Sequence, residues 1–361
     1  MDVVFRVDAS LRLGAGHLAR CLVLASAMIQ CGGRAKFLMR STEPEFESII
    51  NNAGFECEFL RLDAESPSGK QGEFDWLEDA NACFRHLKKG ARPFLLVVDH
   101  YDLDMRWETR MRTEVGNLMV IDDLANRAHE CDWLLDQTFG RGAGAYCGLV
   151  NKSCRLLLGT EFCLLRPQFE KTRAEQLHQI GKYVPRTLHL FFGSVDSRSN
   201  TLRFANLILR NFPEISIRAA LGLPNSTDER ELQLLAKSYT GRFTWKQGIS
   251  DMAAHIAGCD VAIGAPGGTT WERACLGVPG AYVAIADNQE PVLKNLADAG
   301  FCVYLGRDSR VADAEFVTRI RNFLDDRGYL AQIRATGMAA VDGHGAARVA
   351  HLVIQEECRA K

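Results

Sequence analysis

Short apolar runs that each stop at an aspartate dominate the first half of the chain, and few folds accommodate them. Val3 to Val7 stops at Asp8, Phe94 to Val98 at Asp99, Leu118 to Ile121 at Asp122, and Trp133 to Leu135 at Asp136. Apolar runs without polar alternation predict strands buried on both faces. After the first, a glycine-containing turn leads into Leu18, Leu22, Ala25 and Ile29 at helical spacing, and Ala35 to Met39 reads as the next strand. Strands alternating with helices predict a parallel sheet covered on both faces, with ligands bound beyond the carboxyl ends of the strands. The four aspartates fall at those ends.

A polar stretch from Arg166 to Arg186, closed by Pro185, interrupts the pattern, which resumes with Leu188 to Phe192, Ile215 to Ala219, Val261 to Ile263 and Ala281 to Ile285. At 361 residues the chain also exceeds what one core usually organises. The expected architecture is therefore α/β and GT-B-like: two doubly wound, Rossmann-like domains facing a central cleft. Residues 1–167 form the first, 168–186 the linker and 187–361 the second, nucleotide-binding domain.

Bulk properties narrow the partners. A formal charge of -2 gives no overall attraction to nucleic acid or an anionic membrane. No apolar run is long enough to span a bilayer, and the opening MDVVFRVDASLRLGAGH lacks the basic and then apolar order of a secretory leader. The twelve cysteines include no C-x-x-C pair, and several sit among apolar neighbours, as small hydrophobes in a reducing compartment do. A soluble cytoplasmic protein is expected, with no metal-ligand spacing and no cofactor.

Two glycine-rich turns carry the chemistry. In Leu13-Gly14-Ala15-Gly16-His17 the glycines allow a ligand to approach the backbone, and the turn opens a helix whose free N–H groups favour anions. His17 stands where the helix dipole favours a neutral imidazole, able to take a proton from water; a structural cap is the alternative. The second turn, Gly264-Ala265-Pro266-Gly267-Gly268-Thr269-Thr270-Trp271-Glu272, follows a buried strand and opens another helix. Its backbone and two threonine hydroxyls suit a diphosphate, and Glu272 a ribose, although a capped helix with an acid in its first turns has the same spelling. Gly193, in the Gly193-Ser194-Val195-Asp196 turn, completes the nucleotide set. Asp99 and Tyr101 at one strand end, with Asn288 and Gln289 after another, are candidates for the sugar; caps and loop bonds are the competing roles. Asp102-Leu103-Asp104 also has the spacing of a D-x-D metal pair, a pattern short enough to arise by chance.

Taken together, RVDASLRLGAGHLARCLVLA, VVDHYDLDMRWE, VIDDLANRAHECDWLLDQTFG, LLGTEFCLLRPQF, DMAAHIAGCDVAIGAPGGTTWERACLGVP, ADNQEPVLKNLADAG and DGHGAARVA resemble, nearly end to end, the bacterial hydrolases that act on UDP-2,4-diacetamido-2,4,6-trideoxy-β-L-altropyranose in pseudaminic acid synthesis. The resemblance implies scission of the sugar C1–O bond by water, with inversion and release of UDP, and no divalent ion. It implies that His17 activates the water, that Tyr101 and Asn288 line the sugar site, and that Gly16, Gly268, Thr269, Thr270 and Glu272 lie on segments holding the nucleotide. The partner expected is a UDP-sugar, and a monomer is expected because its site needs no second chain. Two departures bear on affinity: Ser194 stands where such chains often have a second glycine, and Pro266 removes one N–H donor. A glycosyltransferase using a UDP-amino sugar, a hydrolase of a stereoisomeric UDP-sugar and a catalytically idle UDP-sugar binding module are the alternatives that the residues leave open.

Overall fold

The computed structural model describes residues 1–361 apart from 11–13, 41–43, 61–73, 178–183, 195, 197, 223–225, 288 and 361. It divides into two compact units: unit 1 comprises Met1–Leu164 with His344–Lys361, and unit 2 comprises Leu165–Gly343.

Unit 1 is built on β1 (Asp2–Val7), β2 (Arg34–Met39), β3 (Glu56–Phe59), β4 (Leu95–Asp99), β5 (Asn117–Ile121), β6 (Trp133–Asp136) and β7 (Arg155–Leu158). These form one sheet in the order β3-β2-β1-β4-β5-β6-β7, every pair parallel. Its helices are α1 (Gly16–Gln30), α2 (Pro44–Asn52), α3 (Trp76–Leu87) and α4 (Met105–Met111). In unit 2 come α5 (Pro167–Gln176), β8 (Thr187–Phe191), α6 (Asn200–Asn211), β9 (Ser216–Leu221), α7 (Ser226–Ser238), β10 (Phe243–Gln247), α8 (Met252–Ala257), β11 (Val261–Gly264), α9 (Gly268–Cys275), β12 (Gly280–Ala284), α10 (Gln289–Asp298), β13 (Val303–Arg307), α11 (Asp313–Asp325) and α12 (Arg327–Ala340). Its parallel sheet runs β10-β9-β8-β11-β12-β13. Last in chain order, α13 (Gly345–Ala360) belongs to unit 1.

Both strand orders reverse once, between β1 and β4 and between β8 and β11. Such a switch point opens a crevice at the strands' carboxyl ends. Two doubly wound Rossmann-like units, the expected fold class, are thus present.

The division of the chain differs from the expected 1–167, 168–186 and 187–361. Residues 167–176 form helix α5 of unit 2, where Phe169 is buried and Arg173 donates to the Cys275 and Met338 carbonyls at 2.8 and 2.7 Å. At the other end α13 buries Ala346, Val349, Ala350 and Val353 and packs on α1. An apolar stripe on each helix needed a covering surface, and polarity averaged along the sequence does not reveal which surface that is. In α1 the stripe is Leu18, Cys21, Leu24, Ala25 and Met28. Each large member contributes about 1.5–3 kcal/mol by burial, so Leu24→Ala costs roughly 2–5 kcal/mol.

Candidate active site

The four strand-end aspartates are all buried and all partnered. Asp8 pairs with Arg6 at 2.6 Å and with His100 at 3.1 Å. Asp122 binds Arg127 at 2.8 Å, Asp136 binds Arg141 at 2.6 Å, and the Tyr146 hydroxyl lies between those two carboxylates. Asp99 differs because its partner is the candidate base. It ends β4, at the switch point, and meets the first turns of α1.

His17 lies in the first turn of α1, and its Nδ1 is 2.6 Å from Asp99 Oδ1. The guanidinium of Arg20, one turn further along the same face, donates through Nε and Nη2 to both Asp99 oxygens at 2.6 Å. Burial alone would raise the Asp99 carboxyl, but the charges of Arg20 and His17 overcome it and hold Asp99 well below the usual carboxylate range. An ionised carboxylate only accepts hydrogen bonds, so Nδ1 carries a proton in this contact and Nε2 is the ring nitrogen that can exchange one. With Nδ1 protonated, the 3.1 Å approach of Arg20 Nη2 to it brings two donors together and is not a hydrogen bond. Arg20 Nη1 continues to Asp123 at 2.9 Å, and the other Asp123 oxygen accepts from the Tyr101 hydroxyl at 2.9 Å. Tyr101 sets its ring edge-on to the imidazole with centroids 4.6 Å apart. Burial and then Asp123 push the phenol of Tyr101 upward, so it stays protonated.

Asp99, expected among the sugar contacts, is 1% exposed with both oxygens engaged. The Cys21 thiol, 3.5 Å from Oδ2, takes the remaining acceptor position, so the buried carboxylate is aligned on the imidazole and not on a sugar hydroxyl. Tyr101 is exposed beside the ring, and the His17 side chain keeps 15% of its surface. Arg20 and Asp123 escaped the sequence reading. Their signals were an arginine three residues after His17 and a second aspartate at the end of β5.

Gly16 opens α1, which has no side-chain cap and no acid in its first turn. A Cβ added there would meet nothing within 4 Å, and neither would one on Gly268. Packing within the chain therefore does not require glycine at either place, and the backbone there is open to close approach.

In unit 2, β11 delivers Gly264, where a Cβ would collide with the Phe191 carbonyl oxygen. Gly267 and Gly268 are exposed and Thr269 is half-buried. Thr270 is buried and its hydroxyl accepts from Gly267 N–H at 3.2 Å, while its own N–H donates to Gly267 O at 2.9 Å. Thr270 thus shapes the turn from within. Glu272 accepts from Arg166 at 3.3 Å; burial raises its carboxyl, and Arg166 offsets this in part. Gly193, with φ +105°, and Asp196, which caps α6 through Asn200 and Thr201 N–H at 2.9 and 2.6 Å, line a shallow cleft with Thr201, Ala220, Gly222 and Gln247. This cleft lies at the carboxyl ends of β8, β9 and β10.

Gln289 turns inward, accepting from Ile285 and Ala286 N–H at 2.9 and 3.3 Å, so it closes its own loop. Asn288 and Val195 lie outside the described residues. The D-x-D spacing does not form a pair of free carboxylates, because Asp104 caps α4 and binds Arg106 at 2.8 Å. Among the described residues no helix is long and apolar enough to cross a membrane.

Two Rossmann-like units with these strand orders make the fold GT-B-like. No family profile matches the sequence. The chain is similar to the UDP-2,4-diacetamido-2,4,6-trideoxy-beta-L-altropyranose hydrolase of Campylobacter jejuni, 25% identical over 237 residues that span 66% of this chain and 75% of that one. Among solved structures it is similar to MurG of Acinetobacter baumannii, with a TM-score of 0.67 and 15% identity over 98% of this chain and 99% of that one. It is also similar to the UDP-GlcNAc 2-epimerase of Neisseria meningitidis bound to UDP-GlcNAc, with a TM-score of 0.63 and 12% identity over 99% and 100% of the two chains. At such identities the two structures speak for the fold alone.

Proposed function

We propose that the chain is an enzyme that hydrolyses UDP-2,4-diacetamido-2,4,6-trideoxy-β-L-altropyranose to UDP and the free sugar, in the cytoplasm and within bacterial pseudaminic acid synthesis. The observation that carries this reading is the 2.6 Å contact that commits His17 Nδ1 to buried Asp99 and leaves Nε2 as a base. The similarity to the Campylobacter hydrolase supports the choice of sugar.

In this reaction Nε2 takes a proton from water as the water oxygen bonds to C1 of the sugar. The C1–O bond to the diphosphate breaks on the opposite side, its electron pair leaves with UDP, and C1 inverts. Asp99 and Arg20 keep the imidazole oriented, and Tyr101 lines the sugar. Unit 2 takes the nucleotide: Gly193, Gly267, Gly268 and Thr269 approach the diphosphate, Thr270 fixes the turn, and Glu272 accepts from the ribose. The start of α9 supplies N–H groups and a dipole for the charge that builds on the leaving group, so a divalent ion is not needed. Asn288, which lies outside the described residues, completes the sugar contacts in this reading. A monomer suffices, because one chain supplies every group named.

The test is incubation of the purified protein with the UDP-sugar alone, in the presence of a chelator, followed by proton NMR. Release of UDP with an inverted anomeric signal is expected. A glycosyltransferase would liberate almost no UDP without an acceptor, and a binding module would bind the UDP-sugar and return it intact. Comparing stereoisomeric UDP-diacetamido sugars in the same assay checks the sugar assignment.

A further inference from the structure

Beneath the switch point of unit 2 lies a cation with no anion. Arg273, in α9, is 0% exposed. Its Nε donates to His189 Nδ1 at 3.2 Å, and its guanidinium carbon lies 5.4 Å from the ring centre of Tyr282, whose hydroxyl is its other polar neighbour. Neither Nη1 nor Nη2 has a hydrogen-bond partner. Among the described residues no carboxylate pairs with it. Glu272, adjacent in sequence, is bound to Arg166 at 3.3 Å.

Glu272 feels the charge of Arg273, but burial raises its carboxyl and its bond goes to Arg166; the other close groups are imidazoles. His189 and His255 face each other with centroids 5.3 Å apart. Burial, then Arg273, drives His189 far below its ordinary value, and burial, then Arg218, brings His255 down to about 4, so both rings are neutral at pH 7. Leaving a buried ion unpaired is among the costliest arrangements in a protein interior.

Position gives the cost a purpose. Side chains on a helix lean toward its N-terminus, and Nη2 of Arg273 reaches the strand end: a Cβ on Gly264 would lie 3.0 Å from it. Gly264 closes β11 and Phe191 closes β8, the two strands that part at the switch. Nη2 of the guanidinium, one of its two unsatisfied nitrogens, therefore lies beside Gly264, the residue from which the glycine-rich turn starts.

We propose that Arg273 is the fixed counter-charge for a diphosphate held on this turn, a positioning residue that acts through the loop by its field rather than by contact. The ligand's phosphates supply the anion that the chain withholds. This rests on the reading that unit 2 takes UDP, and it is independent of whether the sugar is hydrolysed.

Calorimetric titration of UDP and of uridine into the wild-type, Arg273→Met and Arg273→Lys proteins tests it. Arg273→Met is expected to weaken UDP at least tenfold, about 1.4 kcal/mol, and to leave uridine within about twofold. Arg273→Lys should recover most of the UDP affinity because it restores the charge without the shape. Equal UDP affinity in Arg273→Met and wild type, or parallel losses for UDP and uridine, overturns the proposal. Should Arg273→Met fail to fold, His189→Glu gives the guanidinium a carboxylate of its own and predicts the same selective loss; unchanged UDP affinity there is equally fatal. A wild-type protein that binds UDP but leaves the UDP-sugar intact defeats the proposed reaction and leaves this test standing.

Discussion

Arg6 and Arg273 are both fully buried arginines, one in each unit, and their surroundings are opposite. Arg6 is gripped by two carboxylates, Asp8 and Asp79, and Trp107 donates to Asp79 at 2.9 Å. Arg273 has a neutral imidazole and an aromatic ring. Unit 1 balances its own charges around its switch point, through Arg6 with Asp8 and through Arg20 with Asp99 and Asp123. Unit 2 leaves a whole charge unbalanced. The first arrangement suits chemistry by a precisely held group; the second suits affinity for an anion.

The contrast breaks most readily at His17. His17→Ala should lower turnover roughly 10²–10⁴-fold, the usual worth of a positioned general base, while UDP affinity by calorimetry stays within about twofold. A loss of affinity with turnover intact would reverse the assignment of the two units.

Next in size is the pair of buried arginines. Arg6→Met strands two carboxylates and should cost about 3–5 kcal/mol in urea denaturation, whereas Arg273→Met should leave the ligand-free protein no less stable, because it removes an unpaired ion. Similar costs at both positions would mean that Arg273 is balanced after all.

Acid should separate the units too. Asp8 is held low because Arg6 and His100 overcome its burial, and Asp99 is likewise held low. Their stabilisation is complete above the ordinary carboxylate value of about 4 and is lost as pH falls below it. His189 and His255 are buried bases with lowered values, so the unfolded chain takes up their protons first. Their share is complete above about 6.5 and fades as pH falls toward about 4. Hydrogen exchange followed down this range should show unit 2 loosening first, and His255→Gln should delay it. Simultaneous loosening would count against the neutral histidine pair.

The smallest effect is expected at Thr270→Val. Loss of the hydroxyl that accepts Gly267 N–H should cost about 1 kcal/mol of stability. A far larger fall in UDP affinity than Thr269→Val produces would mean that Thr270 meets the nucleotide directly.

The legible part of the fold was its interior. Every strand read from the sequence lies inside a sheet, and the four that escaped, β3, β7, β10 and β13, are the four sheet edges. An edge strand keeps one flank in solvent and breaks the apolar run, as the glutamates of β3 and the Thr and Lys of β10 show. His17 and the two glycine turns were visible because glycine spacing is local. Arg20 and Asp123 were not, since their meaning arises only where β4, β5 and α1 converge. Asp99 was read as a sugar ligand for the same reason: a strand-end aspartate looks identical whether it faces a ligand or holds a histidine. The missing partner of Arg273 is a negative fact about three-dimensional neighbours, which no pattern of residues displays.

The return of residues 344–361 to unit 1 orders events during synthesis. Unit 2 occupies an unbroken stretch, Leu165–Gly343, and can close as soon as it emerges from the ribosome. The domain made first must wait, with the flank of α1 that α13 will cover still wet, until the later one has been translated. The helix that carries His17 is therefore seated late, which places the setting of its imidazole after completion of unit 2.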